Sequence, residues 1–280
     1  MEPEETTYLG HDDTEMLMRV WRPETSNPKA IVVGIHGLGS HSGLLSFVAE
    51  AFATNGYVFY APDLRGFGTF PGRKGHVDSF DEYVNDMHRL LGYVQTLEET
   101  SSTVLYGHSL GGLHILHYVT RHPDMVDAIV TPCPAVSDRL KIGRGTLILA
   151  SLLSRLNVKT VFDNGLDKQL ISRNEEVVKR NMEDPLRYDK ATPRMATEGF
   201  KVQDEVFNSG HLITVPVLMQ QSGDDLILVP EKNKEFFDTV ASEDKTWKLY
   251  EGLYHEPFQE PGGEQVLADL FAWLDERFPG

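Results

Sequence analysis

The feature that most limits what this chain can fold into is an alternation of short, β-rich apolar runs with longer stretches of helical spacing. Met16 to Trp21 ("MLMRVW") and Ile31 to His36 ("IVVGIH") read as strands, and the second is apolar enough to be buried on both faces. Tyr57 to Ala61, Thr103 to Tyr106, Ala128 to Thr131 and Val217 to Gln221 repeat the pattern. Between them, Phe80, Tyr83, Val84, Met87, Leu90, Leu91, Val94 and Leu97 recur at helical spacing. Val266, Leu267, Leu270, Phe271, Leu274 and Phe278 do the same near the end. Strands buried on both faces need helices on both faces, so the alternation predicts an α/β fold with a mostly parallel central sheet flanked by helices.

One segment breaks the rhythm. From about Ala135 to Leu212 there are helical patterns, at Leu147 to Leu156 and Glu175 to Met182, and no convincing strand. The strand pattern resumes at "TVPVLMQQSG". The expected organisation is a core over residues 1–134, an inserted helical cap over 135–212, and the rest of the core over 213–280. Such an insertion would lie over the carboxyl ends of the strands, where open α/β sheets place their sites. With 40% hydrophobic residues in 280, the chain can bury one sizeable core.

The chemistry begins at Gly107-His108-Ser109-Leu110-Gly111, where a strand-like run, "TVLY", meets a helix-like one, "GLHILHYV". This is the strand-turn-helix of a nucleophile elbow. A serine in a tight bend needs neighbours without Cβ, so that strand and helix can close around it. A serine hydroxyl is a weak nucleophile at neutral pH, and it must pass its proton to a base that a third group orients. In the elbow arrangement an acid and then a histidine follow the serine, each after a strand. Asp224 and Asp225 follow "VPVLMQQSG" and are both candidates for the acid, and His255 follows "TWKLYEGLY". Of the eleven histidines only His255 lies beyond the acid candidates. His36, His108, His114 and His117 stand beside motifs or on helices and read as structural. The oxyanion of a tetrahedral intermediate needs backbone N–H donors, expected from Leu110 and from Leu38 in the loop "HGLGSHSG".

These stretches carry a resemblance. "HGLGSHSG", "DLRGFGTFPGRKGHVDSFDEYVNDM", "LYGHSLGG", "GDDLILVPEKNKEFF" and "YEGLYHEPFQEP" resemble the α/β-hydrolases of the monoacylglycerol lipase and lysophospholipase group, over nearly the whole length. "LISRNEEVVKRNMEDPL" is similar to the cap of that group. The resemblance implies Asp225 as the acid, five residues before Pro230, and a hydrolase that cleaves a single-chain acyl ester such as a monoacylglycerol. Its alternatives within the enzyme class are a lysophospholipase, a short-chain carboxylesterase and a peptidase of similar fold. A homologue that only binds a ligand is the non-catalytic alternative. One departure is Phe70, in the loop after Asp63, where the group usually has a small residue.

Composition excludes other classes. A net charge of −16 and a pI near 5.1 argue against nucleic-acid binding and against purely electrostatic attachment to an anionic bilayer. No Cys/His spacing suggests a metal, and the expected chemistry needs no organic cofactor. The lone Cys133 forms no internal disulfide, and "MEPEETTYLG" has neither the basic nor the apolar region of a secretory signal. The expected location is the cytoplasm, peripheral to membranes if the cap touches lipid. "GTLILASLL" in the cap is too short to span a bilayer and is apolar on almost every face. It is expected either to contact lipid or to be buried between other cap segments. Cys133, near the start of the cap, is placed where it could face the pocket.

Overall fold

The computed structural model describes residues 1–98, 100, 102–137 and 143–279. Its strands are β1 (Glu4–Leu9), β2 (Glu15–Trp21), β3 (Ile31–Ile35), β4 (Val58–Pro62), β5 (Thr103–Gly107), β6 (Ala128–Pro132), β7 (Phe162–Asp163), β8 (Lys190–Ala191), β9 (Val217–Ser222) and β10 (Lys245–Tyr250). The helices are α1 (Ser46–Thr54), α2 (Asp81–Val94), α3 (Leu110–Val119), α4 (Arg144–Arg155), α5 (Glu175–Glu183), α6 (Pro193–Phe207), α7 (Pro230–Thr239) and α8 (Glu264–Asp275).

Eight strands form one sheet in the order β1-β2-β4-β3-β5-β6-β9-β10. β1 and β2 pair antiparallel, β2 runs antiparallel to β4, and every other neighbour is parallel. Every residue of β3, β4, β5, β6 and β9 is buried, because helices cover both faces. Alternate residues supply the two layers. Ile31, Val33, Val58 and Leu105 pack towards α2 and α3, against Met87, Leu91 and Leu116. Val32, Phe59 and Val104 pack towards α1 and α8, against Phe52, Val266 and Leu270. Each fully buried side chain of this kind contributes about 1.5–3 kcal/mol, so the two layers are the main source of stability.

Two features of the sheets differ from the sequence expectation. β1 is an additional edge strand of polar sequence, EETTYL, in which only Tyr8 is buried. It is held by its ladder to β2 rather than by an apolar face. The segment between β6 and β9 is not purely helical, since β7 and β8 form a two-residue antiparallel ladder. Two residues are too few to leave a periodic pattern. Residues 138–142, at the start of the expected cap, lie outside the described residues.

The strand order puts β3 and β5 side by side, with Ile35 opposite Gly107. The loops that leave their carboxyl ends, one towards α1 and one into α3, are therefore neighbours. That adjacency creates the site.

Candidate active site

β5 ends at Gly107 and α3 starts at Leu110, leaving Ser109 on the bend with φ 56° and ψ −120°. A side chain rarely adopts this conformation, and the cost of order 1–3 kcal/mol is met by the packing around it. A Cβ on Gly107 would lie 2.4 Å from the Gly111 carbonyl oxygen, and one on Gly111 would lie 2.0 Å from that of Ile35. Glycine at both flanks is what lets the helix start this close to the sheet.

Ser109 Oγ lies 2.9 Å from His255 Nε2, and His255 Nδ1 lies 2.8 Å from Asp225 Oδ2. The structure thus joins three residues from the ends of β5, β9 and β10. The Nδ1–H donates to the carboxylate, which leaves Nε2 free to accept from the serine hydroxyl. Asp225 Oδ1 accepts the backbone N–H groups of Ile227 (2.8 Å) and Leu228 (2.9 Å). Burial pushes the Asp225 carboxyl up, but His255 and these N–H groups outweigh it and bring the pKa down to about 2. For His255 burial pushes the imidazole down, and the neighbouring Asp225 carboxylate more than reverses this, leaving it above its ordinary value. Asp224, next in the chain, is exposed.

Gly37 lies against the elbow, since a Cβ there would be 3.5 Å from that of Ser109. Among the described hydrogen bonds, the N–H groups of Leu38 and Leu110 donate to no acceptor. Leu38 lines the same pocket as Ser109, and Leu110 follows Ser109 at the start of α3. His36 braces the first of these loops: its Nδ1–H donates to the Gly37 carbonyl (2.9 Å) and its Nε2 accepts from Leu64 N–H (3.0 Å). Asp63 braces it from below, accepting Ser42 N–H at 2.9 Å and Thr69 N–H at 2.7 Å. His108 Nε2–H donates to the His255 carbonyl at 2.8 Å, so it steadies the His255 loop rather than binding the serine.

The pocket over Ser109 has an apolar wall of Leu44, Leu45, Phe47, Val48 and Phe258. Leu166, Ile171, Arg180, Asn181 and Arg187, from the segment between β6 and β9, line its other side. Phe70 is absent from this lining and packs in the core beneath the Arg65 guanidinium, 5.2 Å from its ring. The expectation that Cys133 could face the pocket is not met. Its thiol is fully buried behind the site, where Sγ accepts from Ser222 N–H at 3.4 Å. Burial pushes that thiol well above its usual pKa, so it is not a thiolate nucleophile. Among the described residues two clusters have metal-like donor sets, Cys133–Asp225–His255 and His11–Asp12–Asp86. In the first Asp225 is engaged with His255, and the second is filled by Arg65, which donates to both Asp12 and Asp86.

Sequence reasoning missed Glu260. Its buried carboxylate accepts from Tyr254 N–H (3.2 Å), Arg173 N–H (2.7 Å) and the Ser172 hydroxyl, tying the His255 loop to the segment between β6 and β9. A glutamate five residues after the histidine, inside "HEPFQEP", was the signal available.

The comparisons with known proteins give the family. The family described as serine aminopeptidase, S33, matches residues 26–262. A monoacylglycerol lipase of Mycolicibacterium smegmatis is 31% identical over 271 residues, which cover 96% of either chain. The chain belongs to the α/β-hydrolases of the monoacylglycerol lipase group. The crystal structure of a monoacylglycerol lipase from Paleococcus ferrophilus superimposes on this hydrolase with a TM-score of 0.83, at 30% identity and 98% coverage of both chains. The hydrolase is also 31% identical to part of an uncharacterized abhydrolase domain-containing protein of Dictyostelium discoideum, spanning only 29% of that longer protein.

Proposed function

We propose that this hydrolase cleaves monoacylglycerols to fatty acid and glycerol through an acyl-enzyme on Ser109. The observation that carries the proposal is the continuous relay from Ser109 Oγ through His255 to Asp225, at 2.9 and 2.8 Å, beneath a pocket with one apolar wall. The serine hydroxyl gives its proton to His255 Nε2 and attacks the ester carbonyl. Asp225 holds the imidazole in the tautomer that can accept this proton. The free N–H groups of Leu38 and Leu110 receive the oxyanion. His255 returns the proton to the departing glycerol oxygen, and water, deprotonated by the same imidazole, releases the fatty acid. The likeness to the M. smegmatis lipase supports the substrate class.

Residues 135–212 act in this reading as a cap. The expectation that "GTLILASLL" is buried between cap segments fails: Ile148 is 70% exposed, Leu149 54% and Leu152 53%. α4 rests on α6 through Ser154, whose carbonyl accepts from Arg194 Nη2 at 2.7 Å and whose hydroxyl accepts from Thr197 at 2.9 Å. Its outer face is left as an apolar patch on an otherwise acidic protein. We read the patch as a contact with the lipid surface that holds the substrate, without membrane insertion; none of the described helices is long and apolar enough to cross a bilayer.

Hydrolysis of monoacylglycerols of graded length, lysophosphatidylcholine and short p-nitrophenyl esters tests the proposal. The highest kcat/KM is expected on a monoacylglycerol. A maximum on acetate or butyrate esters would make the protein a carboxylesterase, and one on the lysolipid a lysophospholipase. Replacing Ile148 and Leu152 together by serine is expected to lower activity on vesicle-borne monoacylglycerol about a hundredfold, since burial of two such side chains contributes about 3 kcal/mol or more to partitioning. Activity on a soluble ester is expected to stay within twofold. Equal losses on both substrates would remove lipid contact from the account.

A further inference from the structure

Gly37, Leu38 and Gly39 lie in the loop beside Ser109, and the carbonyl of each is held by a hydrogen bond. Gly37 O accepts from His36 Nδ1–H at 2.9 Å and from Ser40 N–H at 3.2 Å. Leu38 O accepts from Arg187 Nη2 at 3.4 Å, and Gly39 O from Tyr188 N–H at 2.9 Å. The first of these donors belong to the loop itself. The other two come from the segment between β6 and β9. Because each peptide unit is planar, the direction of the Leu38 N–H is set by the Gly37 carbonyl, and holding the Leu38 and Gly39 carbonyls limits the rotations about Leu38 that would let that unit turn.

Further contacts show that this seam is built. Gly39 has φ +69°, and a Cβ there would lie 2.9 Å from the Tyr188 carbonyl oxygen, so the two backbones approach as closely as glycine allows. His41 Nε2–H donates to Asp184 at 3.0 Å while its Nδ1 accepts from Gly43 N–H at 3.1 Å. The Arg187 side chain is only 6% exposed, and its Nη1 donates to the buried Asn181. Its Nε has no hydrogen-bond partner among the described residues, the nearest carboxylate oxygen, on Asp189, being 3.8 Å away. Burying a guanidinium with an unsatisfied donor costs stability. Its position over Leu38 is the effect that this cost maintains.

We propose that Arg187 is a positioning residue, which holds the Leu38 peptide in the conformation that receives the oxyanion and so couples the seating of residues 184–188 to catalysis. The inference rests on the reading of Leu38 N–H as an oxyanion donor. When this segment is seated, the donor is aimed at the space beside Ser109 Oγ. When it lifts, Leu38 O and Gly39 O lose their partners together and the loop relaxes.

The test is Arg187→Met in the full chain, which keeps the apolar stem and removes the donors. On p-nitrophenyl butyrate, kcat is expected to fall about tenfold, less than the hundredfold or more that follows loss of an oxyanion donor itself. KM should stay within twofold. Affinity for a trifluoromethyl ketone, which forms a tetrahedral adduct on the serine, should weaken by the same factor as kcat/KM. A folded variant with wild-type kcat overturns the proposal, and so does a lower kcat with unchanged ketone affinity. If Arg187→Met does not fold, Asn181→Ala removes the acceptor that aims the guanidinium. It should show the same pattern with roughly a threefold fall, and wild-type kinetics there would equally overturn the proposal. Ser109→Ala, run beside them, keeps the two readings apart: an active Ser109→Ala protein defeats the proposed mechanism, whatever Arg187 does.

Discussion

Ser109→Ala is expected to lower kcat on monoacylglycerol by about 10⁴-fold or more with little change in thermal stability, because the proposed nucleophile is lost while the elbow's packing is kept. The sharper comparison is between the two adjacent acids. Asp225→Asn should cost about 10⁴-fold in kcat, the scale of tautomer loss in a serine triad. Its Oδ1 position must still accept the Ile227 and Leu228 N–H groups, so the new NH₂ is forced to face His255 Nδ1. Nδ1 then accepts, Nε2 carries the proton, and the imidazole cannot take another from Ser109. Asp224→Asn is expected to stay within twofold of wild type, since that side chain is exposed. Steady-state kinetics with circular dichroism as a fold check decide the matter. Equal effects of the two substitutions would remove Asp225 from its assigned role.

The sequence distinguished these acids only through a family resemblance, whereas in three dimensions one is buried against His255 and its neighbour faces solvent. What could be read directly was local. Continuous apolar runs marked β3, β5 and β9, and helical spacing marked α2 and α8. The order serine, acid, histidine followed from the chemistry an elbow serine requires. β1 escaped because its six residues, mostly polar, are held by pairing with β2, which no pattern within the strand records. Glu260 and Arg187 escaped for the same reason on a larger scale. The Ser172 partner of Glu260 is 88 residues away, and the Leu38 carbonyl lies 149 residues from Arg187. Apolar character alone also could not orient α4, because the same leucines serve a buried helix or an exposed lipid-facing one.

The second large effect concerns acid stability. His36, His114 and His117 are almost completely buried, and burial lowers their pKa values to about 4, 3 and 4. His114 stacks on Phe80 and Tyr83, with ring centroids 5.2 and 4.3 Å apart, and neither of its nitrogens has a hydrogen-bond partner among the described residues. In His36 the Nε2 that would take a proton already accepts from Leu64. Each folded pKa lies below the unfolded value near 6.5, so the unfolded chain binds protons first and stability is lost as pH falls from about 6.5 towards 4. At pH 5 the loss is roughly 2 kcal/mol per histidine, a large share of the 5–15 kcal/mol that typically holds a domain. Asp225, with its pKa lowered to about 2, gives up its contribution only at lower pH, so the two windows separate. His255, raised by its carboxylate neighbour, has the opposite sign: its contribution is full at low pH and is lost as pH rises through its folded pKa. The urea midpoint is therefore expected to drop steeply between pH 6.5 and 5. His114→Phe, which keeps a ring between Phe80 and Tyr83 but cannot be protonated, should flatten that slope by its own share, roughly 2 kcal/mol at pH 5, whatever it does to stability at pH 7.5. An acid slope identical to wild type in this variant would show that His114 does not carry its share.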